Sequence, residues 1–375
     1  MKTLTIISHT EHYKKTDGSI VGLGSTVTEI NHLLTVFDRI LHVAMLHEVP
    51  APPSALPYTS SKITFVALPA VGGTSIQDKW AIIYKAPKIL RVIKKALAQS
   101  DYFQFRAPTG IGVFVIPYLV FFSQKKGWFK YAGNWKQEQA PLAYSFQRWL
   151  LKKQKRKVTI NGSWAGQPKQ CLTFENPCLT LEEVAIGKTL AASKNLDVSA
   201  VRFCFVGRLE EAKGLGLLIT AFKGLTPEEK ARIQEITIVG DGKAKQHYIN
   251  STIDSGLPFV FSGFLARKEV HEIYKKSHAI LLPSASEGFP KVIAEAMNYG
   301  CLPLVSNVSS IGHYVQNEYN GFLLDTITVE SILNTIRKLL GIDAKVFNAM
   351  LHNQTTTENK FTYTYYNKRI TDALL

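Results

Sequence analysis

The second half of the chain alternates short apolar segments with stretches of helix length, and most turns between them contain glycine or proline. The apolar segments predict strands near 201–206, 235–239, 258–262, 279–282, 302–305 and 322–324. Strands that are apolar throughout and alternate with helices indicate a parallel sheet that is covered on both faces. Ligands bind such sheets beyond the carboxyl ends of the strands. The turns after these strands are therefore the first places to look for functional side chains.

The first half shows the same alternation. Strands are predicted near 2–8, 39–46, 62–68, 101–105, 157–161 and 170–174, and helices near 26–37, 75–98, 109–123, 138–152 and from 180. A chain of 375 residues with 46% apolar residues can form two cores. The small, polar segment 191–197 predicts a linker. We therefore predict an α/β protein with two Rossmann-like domains, residues 1–192 and residues from 193, whose parallel sheets face each other across a cleft.

Charge is distributed unevenly between the two halves. Residues 1–160 contain 22 Lys and Arg against 8 Asp and Glu, which accounts for nearly all of the net charge of +15. Basic clusters occur at 85–95, 125–136 and 150–157, and aromatic residues are interspersed in the second cluster. Such clusters suit an anionic partner, either a membrane surface or a nucleic acid. The alternative is that they are solvated helix faces.

Two sequence features bear on location. The most apolar stretch, 107–122, contains two prolines and is shorter than the roughly 20 residues that span a bilayer, so no transmembrane helix is predicted. The four cysteines form no C-x-x-C pair, and Cys204 and Cys301 lie in apolar segments that predict buried thiols. A cytoplasmic location is expected.

Two glutamates flank a Gly-Phe-Pro turn after the predicted strand 279–282. Glu287 is expected in the turn, and Glu295 lies further along, in the helix that follows. A carboxylate in this turn can accept hydrogen bonds from a polyol, and the free amides at the helix start can bind an anion. The alternative is an ordinary strand–turn–helix segment with solvated acids.

Other strand–helix turns contain cations and glycines. Gly207 and Arg208 follow the strand 201–206, and Lys213 lies five residues later, just before a helix. Two cations and a helix start can neutralise a diphosphate, unless they form a basic turn paired with the neighbouring glutamates. Gly240 and Gly263 follow the next two strands.

The order of these segments resembles the family-4 retaining glycosyltransferases, also described as glycosyl transferases group 1. The segments are Phe-Val-Gly-Arg-Leu, Ile-Val-Gly-Asp-Gly, Ser-Gly-Phe-Leu, Glu-Gly-Phe-Pro followed by Glu-Ala-Met, and Asn-Gly-Phe-Leu-Leu, all within residues 200–325. The resemblance implies the GT-B fold, with the donor bound by a second domain at 193–354, the acceptor bound mainly by the first domain, and a terminal helix at 355–375 that crosses back to the first domain.

The resemblance also implies roles for individual residues. Arg208 and Lys213 would bind the donor diphosphate and stabilise it as the leaving group, Glu295 would bind the ribose, and Glu287 would bind the transferred sugar, which makes Arg208, Lys213 and Glu287 the catalytic candidates. Further donor-binding candidates are Gly24, Gly207, Gly240, Gly263, Phe264, Gly288, Phe289, Pro290 and Val292.

The first domain is less similar to the family. Gly24 and Ser25 belong to a segment that resembles its glycine loop, and the spacing of Thr26 and Glu29 predicts a capping box at the start of a helix. Many relatives carry a histidine where this sequence has Arg106. Arg106 and Ser25 are therefore candidates for the acceptor or phosphate side, with the alternative that Arg106 pairs with a structural acid. His9, His12 and His32 lie near the glycine loop and are more commonly structural.

The expected reaction transfers a sugar from a nucleotide sugar, UDP- or GDP-linked, to a glycan or lipid-linked oligosaccharide, with retention of the anomeric configuration. No Asp-x-Asp sequence occurs, so neither a metal nor another cofactor is expected. The setting would be surface polysaccharide synthesis at the inner face of a membrane, with contact to anionic lipid. The alternatives are a sugar-nucleotide epimerase or another GT-B enzyme, and a basic nucleic-acid-binding protein, although no nucleic-acid partner is expected.

Overall fold

A computed structural model describes residues 1–73 and 76–375. The chain divides into two compact units. Unit 1 comprises Met1–Asn176 and Tyr363–Leu375, and unit 2 comprises Pro177–Thr362. Each unit is built around its own sheet, and the units are described separately.

The described residues of unit 1 form nine strands and four helices before the chain enters unit 2. They are β1 (Thr3–Lys14), β2 (Ile20–Leu23), α1 (Gly24–His32), β3 (Arg39–His47), β4 (Ala55–Pro57), β5 (Ile63–Pro69), α2 (Ile76–Ala98), β6 (Tyr102–Ala107), α3 (Gly112–Phe121), β7 (Lys126–Tyr131), α4 (Leu142–Lys153), β8 (Val158–Ile160) and β9 (Cys171–Thr173). The start predicted for α2, residue 75, lies outside the described residues.

The parallel part of the unit 1 sheet has the order β5-β3-β1-β6-β7-β8-β9, and the short strands β2 and β4 add an antiparallel extension at the far end of β1. Strand β1 is longer than predicted because it continues past a bulge between Ile7 and Glu11. Helices α2, α3 and α4 cover one face of the sheet with side chains such as Ile93, Val115 and Leu151. Helix α1 and the C-terminal helix cover the other face.

Unit 2 contains α5 (Leu181–Ser193), β10 (Val201–Val206), α6 (Leu215–Lys223), α7 (Pro227–Ala231), β11 (Ile233–Val239), α8 (Lys245–Thr252), β12 (Phe259–Gly263), α9 (Arg267–Lys276), β13 (Ala279–Leu282), α10 (Lys291–Asn298), β14 (Leu302–Ser306), β15 (Phe322–Leu324), α11 (Val329–Gly341) and α12 (Ala344–Glu358). The chain then returns to unit 1 in α13 (Tyr363–Leu374).

All six strands predicted in the second half are present and form one parallel sheet of order β12-β11-β10-β13-β14-β15. The order reverses direction between β10 and β13, so a crevice is expected beyond their carboxyl ends. The predicted α/β class with two Rossmann-like units is confirmed.

The predicted boundary at 192/193 was wrong, because the units separate at Asn176/Pro177. Helix α5 belongs to unit 2, where the Asn298 side chain donates a hydrogen bond to the Glu183 carbonyl. The predicted linker is also anchored in unit 2. The buried Lys194 ammonium donates to the carbonyls of Tyr274, Ser277 and Tyr299 at 2.6–3.0 Å.

The prediction for residues 125–136 was also wrong. Instead of an exposed basic and aromatic segment, residues 126–131 form β7, a strand within the sheet. Trp128, Tyr131 and Trp135 are each at most 2% exposed. Lys130 is buried and ion-paired with Glu29, which allows a lysine inside a sheet.

The burial of the cysteines agrees with the sequence analysis. Cys204 and Cys301 are fully buried, as predicted, and Cys171 and Cys178 are buried as well. None of the helices in the described part of the chain combines the length and the apolar character needed to cross a bilayer.

Candidate functional site

The candidate site lies at the carboxyl-terminal edge of the unit 2 sheet, where the loops after β10, β11 and β12 contact one another through their backbones. The Gly207 amide donates to the Val239 carbonyl at 3.0 Å, and the Gly240 amide donates to the Gly263 carbonyl at 2.8 Å. These bonds bring three of the predicted donor-binding glycines together: Gly207, Gly240 and Gly263.

Two glycines in these loops have no room for a side chain. Gly240 has a φ of 139°, and a Cβ there would lie 1.8 Å from the Gly207 carbonyl oxygen. Gly214 has a φ of 74°, and its Cβ would lie 2.2 Å from the Pro283 carbonyl oxygen. Glycine permits both the left-handed backbone and the close approach. The loops therefore pack backbone against backbone around the switch point of the sheet.

Lys213 and Glu287 form an ion pair that joins the loop after β10 to the loop after β13. The Ser284 hydroxyl donates to the same carboxylate at 2.8 Å, and the Ala285 amide donates to the Ala212 carbonyl at 2.9 Å. The Lys213 and Glu287 side chains are 21% and 11% exposed, so the pair is partly accessible to a ligand. The structure thus brings together two of the three predicted catalytic side chains, on the two strands between which the strand order reverses.

Arg208 lies in the same loop as Lys213 but extends into solvent. Its side chain is 76% exposed and pairs with Glu210, 47% exposed, at 3.1 Å. This is the pairing with a neighbouring glutamate that the sequence analysis gave as the alternative to diphosphate binding. An ion pair this exposed contributes only about 0–1 kcal/mol, so Arg208 can leave Glu210 for a phosphate at little cost.

The Gly-Phe-Pro turn is anchored by its aromatic side chain. Phe289 is 4% exposed and packs against the rings of Tyr314 and Phe361 at 4.8 and 4.9 Å. The Ser310 hydroxyl donates to the Gly288 carbonyl at 3.0 Å. Because the Phe289 side chain points into the core, the backbone of this turn is the part that remains for a ligand.

Helix α10 begins directly after this turn. Pro290 is the residue that precedes its first turn. Val292 is partly buried and packs against the apolar core of unit 2. Both residues thus shape the helix start, and their roles in donor binding stay predictions.

Glu295 lies in the second turn of α10 and is largely buried. Burial raises the pKa of its carboxyl group, while the nearby cations Arg267 and Lys291 oppose that rise. The Arg267 Nε atom lies 3.7 Å from the carboxylate, and the other nitrogens of Arg267 bind Glu183. Sequence reasoning missed Arg267, because its partners Glu183 and Glu295 are distant along the chain.

Two further side chains lie at this edge. Phe264, next to Gly263, is 40% exposed, which leaves its ring accessible. The Lys245 ammonium lies 3.5 Å from Asp241 and close to the Cα of Gly263. Lys245 was not predicted, although it follows the Gly-Asp-Gly turn closely. Among the described residues, no cluster of three or more His, Cys, Asp or Glu suits a metal ion.

The remaining predicted site residues belong to unit 1. Gly24 and Ser25 are the first residues of α1, where Gly24 is buried and Ser25 is exposed. The predicted capping box was wrong, because α1 begins two residues before Thr26 and Glu29 points into the core instead. A Cβ on Gly24 would lie 2.7 Å from the Ser54 carbonyl oxygen, which accounts for the glycine.

Arg106 pairs with a structural acid, as the alternative proposed. Its guanidinium donates to Glu29 and to Gln104 at 2.9 Å each. Lys130, directly opposite Arg106 in the neighbouring strand, donates to the same Glu29 oxygen at 2.5 Å. A buried carboxylate thus pairs with two adjacent cations, and the three side chains keep a net charge of +1.

The histidines near the glycine loop are held in hydrogen bonds. The Tyr58 hydroxyl lies 2.8 Å from His12 Nε2 and 2.6 Å from His42 Nδ1, and Ser8 contacts the other nitrogen of His42 at 2.8 Å. Burial lowers the pKa of His12 to about 4 and that of His42 well below its ordinary value. His32 stacks on Tyr363 within unit 1. These contacts are structural.

Comparison with known proteins gives matches over the unit that contains the site. Residues 188–353 match the sequence model of the family described as Glycosyl transferases group 1. Over 152 residues, 40% of this chain and 39% of the relative, the sequence is 31% identical to the UDP-Gal:alpha-D-GlcNAc-diphosphoundecaprenol alpha-1,3-galactosyltransferase of Escherichia coli. It is 28% identical over 158 residues, 39% of this chain and 41% of the relative, to the lipopolysaccharide 1,2-N-acetylglucosaminetransferase of Salmonella typhimurium. The matches thus span about two fifths of these curated relatives.

Similarity to solved structures extends over the whole chain. Anabaena Alr3699/HepE in complex with UDP and glucose superimposes with a TM-score of 0.70 at 15% identity, covering 100% of this chain and 99% of that one. Sucrose-phosphate synthase from Thermosynechococcus elongatus gives 0.73 at 16% identity, covering 99% and 98%. These similarities confirm the predicted GT-B fold.

Proposed function

We propose that the chain is a glycosyltransferase that transfers a sugar from a UDP-sugar to a glycan or lipid-linked oligosaccharide, as the match of residues 188–353 to the glycosyl transferases group 1 model supports. The observation that carries the proposal is the Lys213–Glu287 pair at the switch point of the unit 2 sheet, with Arg208 in the same loop. The structures of Anabaena Alr3699/HepE with UDP and with UDP-glucose support a UDP-linked donor. The E. coli and Salmonella relatives support an acceptor of the surface-glycan type.

Lys213 and Arg208 would bind the diphosphate. Negative charge grows on the phosphate as the bond to the sugar breaks, and fixed cations lower the barrier when they already point at that charge. Lys213 is held in place by Glu287, while Arg208 is exposed and can fold onto the diphosphate. These two cations replace the charge that a metal would supply, so we propose that the reaction needs no metal.

Glu287 and Glu295 would bind hydroxyl groups. Glu287 is fixed by Lys213 and by Ser284, so it is oriented to accept hydrogen bonds from the transferred sugar. Glu295 is buried beside Arg267 and would accept from the ribose. Hydrogen bonds to charged acceptors contribute about 1.5–3 kcal/mol each. The two carboxylates are therefore binding groups, with the cations between them.

We also propose retention of the anomeric configuration. No protein nucleophile is assigned, because the family resemblance favours displacement on one face of the sugar. The donor phosphate would accept the proton of the acceptor hydroxyl on the face that it leaves. Transfer would take place at the inner face of a membrane, where a lipid-linked acceptor is presented.

The test is a nucleotide-release assay with UDP- and GDP-linked hexoses and glycan or polyprenyl-diphosphate acceptors. We expect acceptor-dependent release of UDP, insensitivity to EDTA, and a product whose anomeric configuration by NMR equals that of the donor. Absence of release with every donor and acceptor would refute the activity. An inverted product would refute retention alone, and loss of activity in EDTA would refute the metal-free reaction.

A further inference from the structure

Three helices of unit 1 present large apolar side chains to solvent. Helices α2, α3 and α4, here called the helix layer, cover one face of the unit 1 sheet. They are adjacent: α3 packs against α4, and Lys94 of α2 lies over the Tyr118 ring of α3 at 5.2 Å. The outward side of the layer exposes large apolar side chains among its charged residues. Its exposed apolar side chains are Trp80, Ile83, Tyr84, Phe121, Phe122, Leu142, Phe146 and Trp149.

These side chains form stripes along the helices. On α2, Trp80 and Tyr84 lie one turn apart and are 66% and 86% exposed. On α4, Leu142, Phe146 and Trp149 share one face and are 89%, 39% and 57% exposed, and the last two rings stack at 6.2 Å. The opposite faces of both helices pack in the core. Apolar residues scattered singly on a surface need no explanation, whereas a concentration of this kind marks an interaction site.

The two units differ sharply in this respect. Six exposed Phe, Tyr or Trp side chains lie on the helix layer, whereas the described residues of unit 2 expose two, Phe264 and Tyr319. Phe264 lies at the proposed donor site, so Tyr319 is the one exposed aromatic side chain elsewhere in the described residues of unit 2. The concentration is therefore a property of the helix layer and not of the protein surface in general.

Positively charged side chains lie further along the same two helices, beyond the apolar stripes. Lys88, Arg91 and Lys95 follow Tyr84 along α2, and Lys153 follows Trp149 on α4; all four are exposed. Among the described residues none of the four has an acidic partner within ion-pair distance. Between positions 80 and 157 the sequence has sixteen Lys and Arg and two acidic residues. The surface combines a basic field with aromatic anchors.

We propose that the helix layer docks on an anionic lipid bilayer. Trp and Tyr favour the level of the lipid headgroups, Phe, Leu and Ile insert below it, and Lys and Arg bind the anionic headgroups. A second copy of the chain fits less well, because the same face on two copies would bring two sets of unneutralised cations together. A nucleic acid would use the cations but leave Ile83 and Leu142 without an apolar partner.

The proposal adds a membrane partner to the proposed function. It rests on that function in one respect only, because a lipid-linked acceptor gives the chain a reason to approach a membrane. The predicted docking segment 125–136 is replaced, because its aromatic residues are buried in β7 and beside it. The apolar residues of the helix layer were not predicted, since in sequence they look like ordinary members of amphipathic helices.

The experiment is co-flotation of the full chain with phosphatidylcholine vesicles, with and without phosphatidylglycerol, in low and high salt. We expect binding to the phosphatidylglycerol vesicles only, weakened by salt. The pair Trp80→Ser and Tyr84→Ser, and the pair Phe146→Ser and Trp149→Ser, should each weaken binding on the order of tenfold or more. The matched control is Tyr319→Ser, which removes an exposed aromatic ring from unit 2 and should bind as the unmodified chain does.

Three results would overturn the proposal. They are absence of vesicle binding, vesicle binding that both serine pairs retain in full, and a dimer in light scattering that the serine pairs dissociate, since the occupant would then be a second copy. An oligonucleotide that binds more tightly than vesicles and depends on the same four residues would also overturn it. Calorimetric UDP affinity of each variant, measured without vesicles, reports on the donor site separately. Loss of vesicle binding with normal UDP affinity therefore bears on the surface and not on the proposed activity.

Discussion

The two units share the central strand order of a Rossmann-like sheet but use the charged residues near strand ends differently. In unit 2, Arg208 is 76% exposed and the Lys213–Glu287 pair is partly open to solvent. In unit 1, the cations Arg106 and Lys130 lie on neighbouring strands and both pair with Glu29, and the three side chains are at most 12% exposed. A charged side chain near a strand's carboxyl end is therefore not sufficient to indicate a ligand site. The decisive point is whether the paired side chains remain accessible to a ligand, since Arg208 and Lys213 also have carboxylate partners.

The strongest test of this contrast is Glu29→Ala, which would leave Arg106 and Lys130 buried without a counter-charge. Removing one member of a buried ionic cluster costs about 3–5 kcal/mol of the free energy of unfolding. We expect that loss in urea denaturation. The control is Glu272→Ala, which breaks an ion pair with Lys275 whose glutamate is 51% exposed and should cost about 1 kcal/mol or less. Unchanged stability of Glu29→Ala would show that the cluster is not structural and would return Arg106 to the acceptor-side candidates.

The next effect concerns the open cations of unit 2. If Arg208 and Lys213 stabilise the leaving diphosphate, replacement of either by Ala should lower kcat/KM by ~10²–10³-fold. Stability should change little for Arg208→Ala because the side chain is exposed. Lys223→Ala removes an exposed lysine at the end of α6 and serves as the control. Near-normal turnover in both Arg208→Ala and Lys213→Ala would contradict the proposed roles.

A pH-dependent effect tests the buried histidine network of unit 1. His12 has a pKa of about 4 in the folded chain, lowered mainly by burial, against 6.5 for an ordinary histidine. Because the folded pKa is depressed, the stabilisation is complete above pH 6.5 and is lost as the pH falls towards 4. A shift of this size corresponds to about 3 kcal/mol.

The measurement is urea unfolding across this pH range. His12→Gln should flatten the decline in the free energy of unfolding, and the exposed His352→Gln should leave it as it is. An equally steep decline in His12→Gln would show that His12 does not remain neutral in the folded state.

The fold could be predicted from the sequence where the strands are apolar throughout. All six strands of unit 2 were found this way, although the edge strand β12 is only partly buried, with Val260 44% exposed. Strand β7 was missed, since Lys126 and Lys130 interrupt its apolar pattern. Lys130 is compatible with burial because of Glu29, 101 positions earlier in the chain. A partner at that distance leaves no signal in local periodicity.

The site shows the same limit. Glycines and charged residues in turns after strands could be found from spacing, and family resemblance ordered them into a donor site. Arg267 was missed because its contacts with Glu183 and Glu295 arise only when α5, α9 and α10 pack together. The capping box was predicted from spacing and was wrong, because burial of Glu29 against two cations outweighs a capping bond worth about 1 kcal/mol.

The smallest expected effect concerns Glu295, the carboxylate beside Arg267 in the proposed donor site, whose side chain is 12% exposed. Glu295→Ala should weaken UDP binding by roughly 10–100-fold if the carboxylate accepts hydrogen bonds from the ribose, since such bonds are worth about 1.5–3 kcal/mol. Arg267 keeps its contacts with Glu183 in this variant, so the fold should be retained. Burial raises the pKa of Glu295. Only the ionised carboxylate can accept hydrogen bonds at both oxygens without carrying a donor proton. UDP affinity of the unmodified chain should therefore fall as the pH is lowered, beginning at a higher pH than for an ordinary glutamate.

Glu295→Gln separates the charge of Glu295 from its shape. It should bind UDP more weakly than the unmodified chain at neutral pH, and its affinity should lack the acid-dependent decline, as measured by calorimetry across the pH range. If Glu295→Ala bound UDP normally, the buried carboxylate would be a structural partner of Arg267. Glu295 would then pair with a cation within unit 2, as Glu29 does within unit 1. Arg208, Lys213 and Glu287 would remain the charged side chains of unit 2 that are available to a ligand.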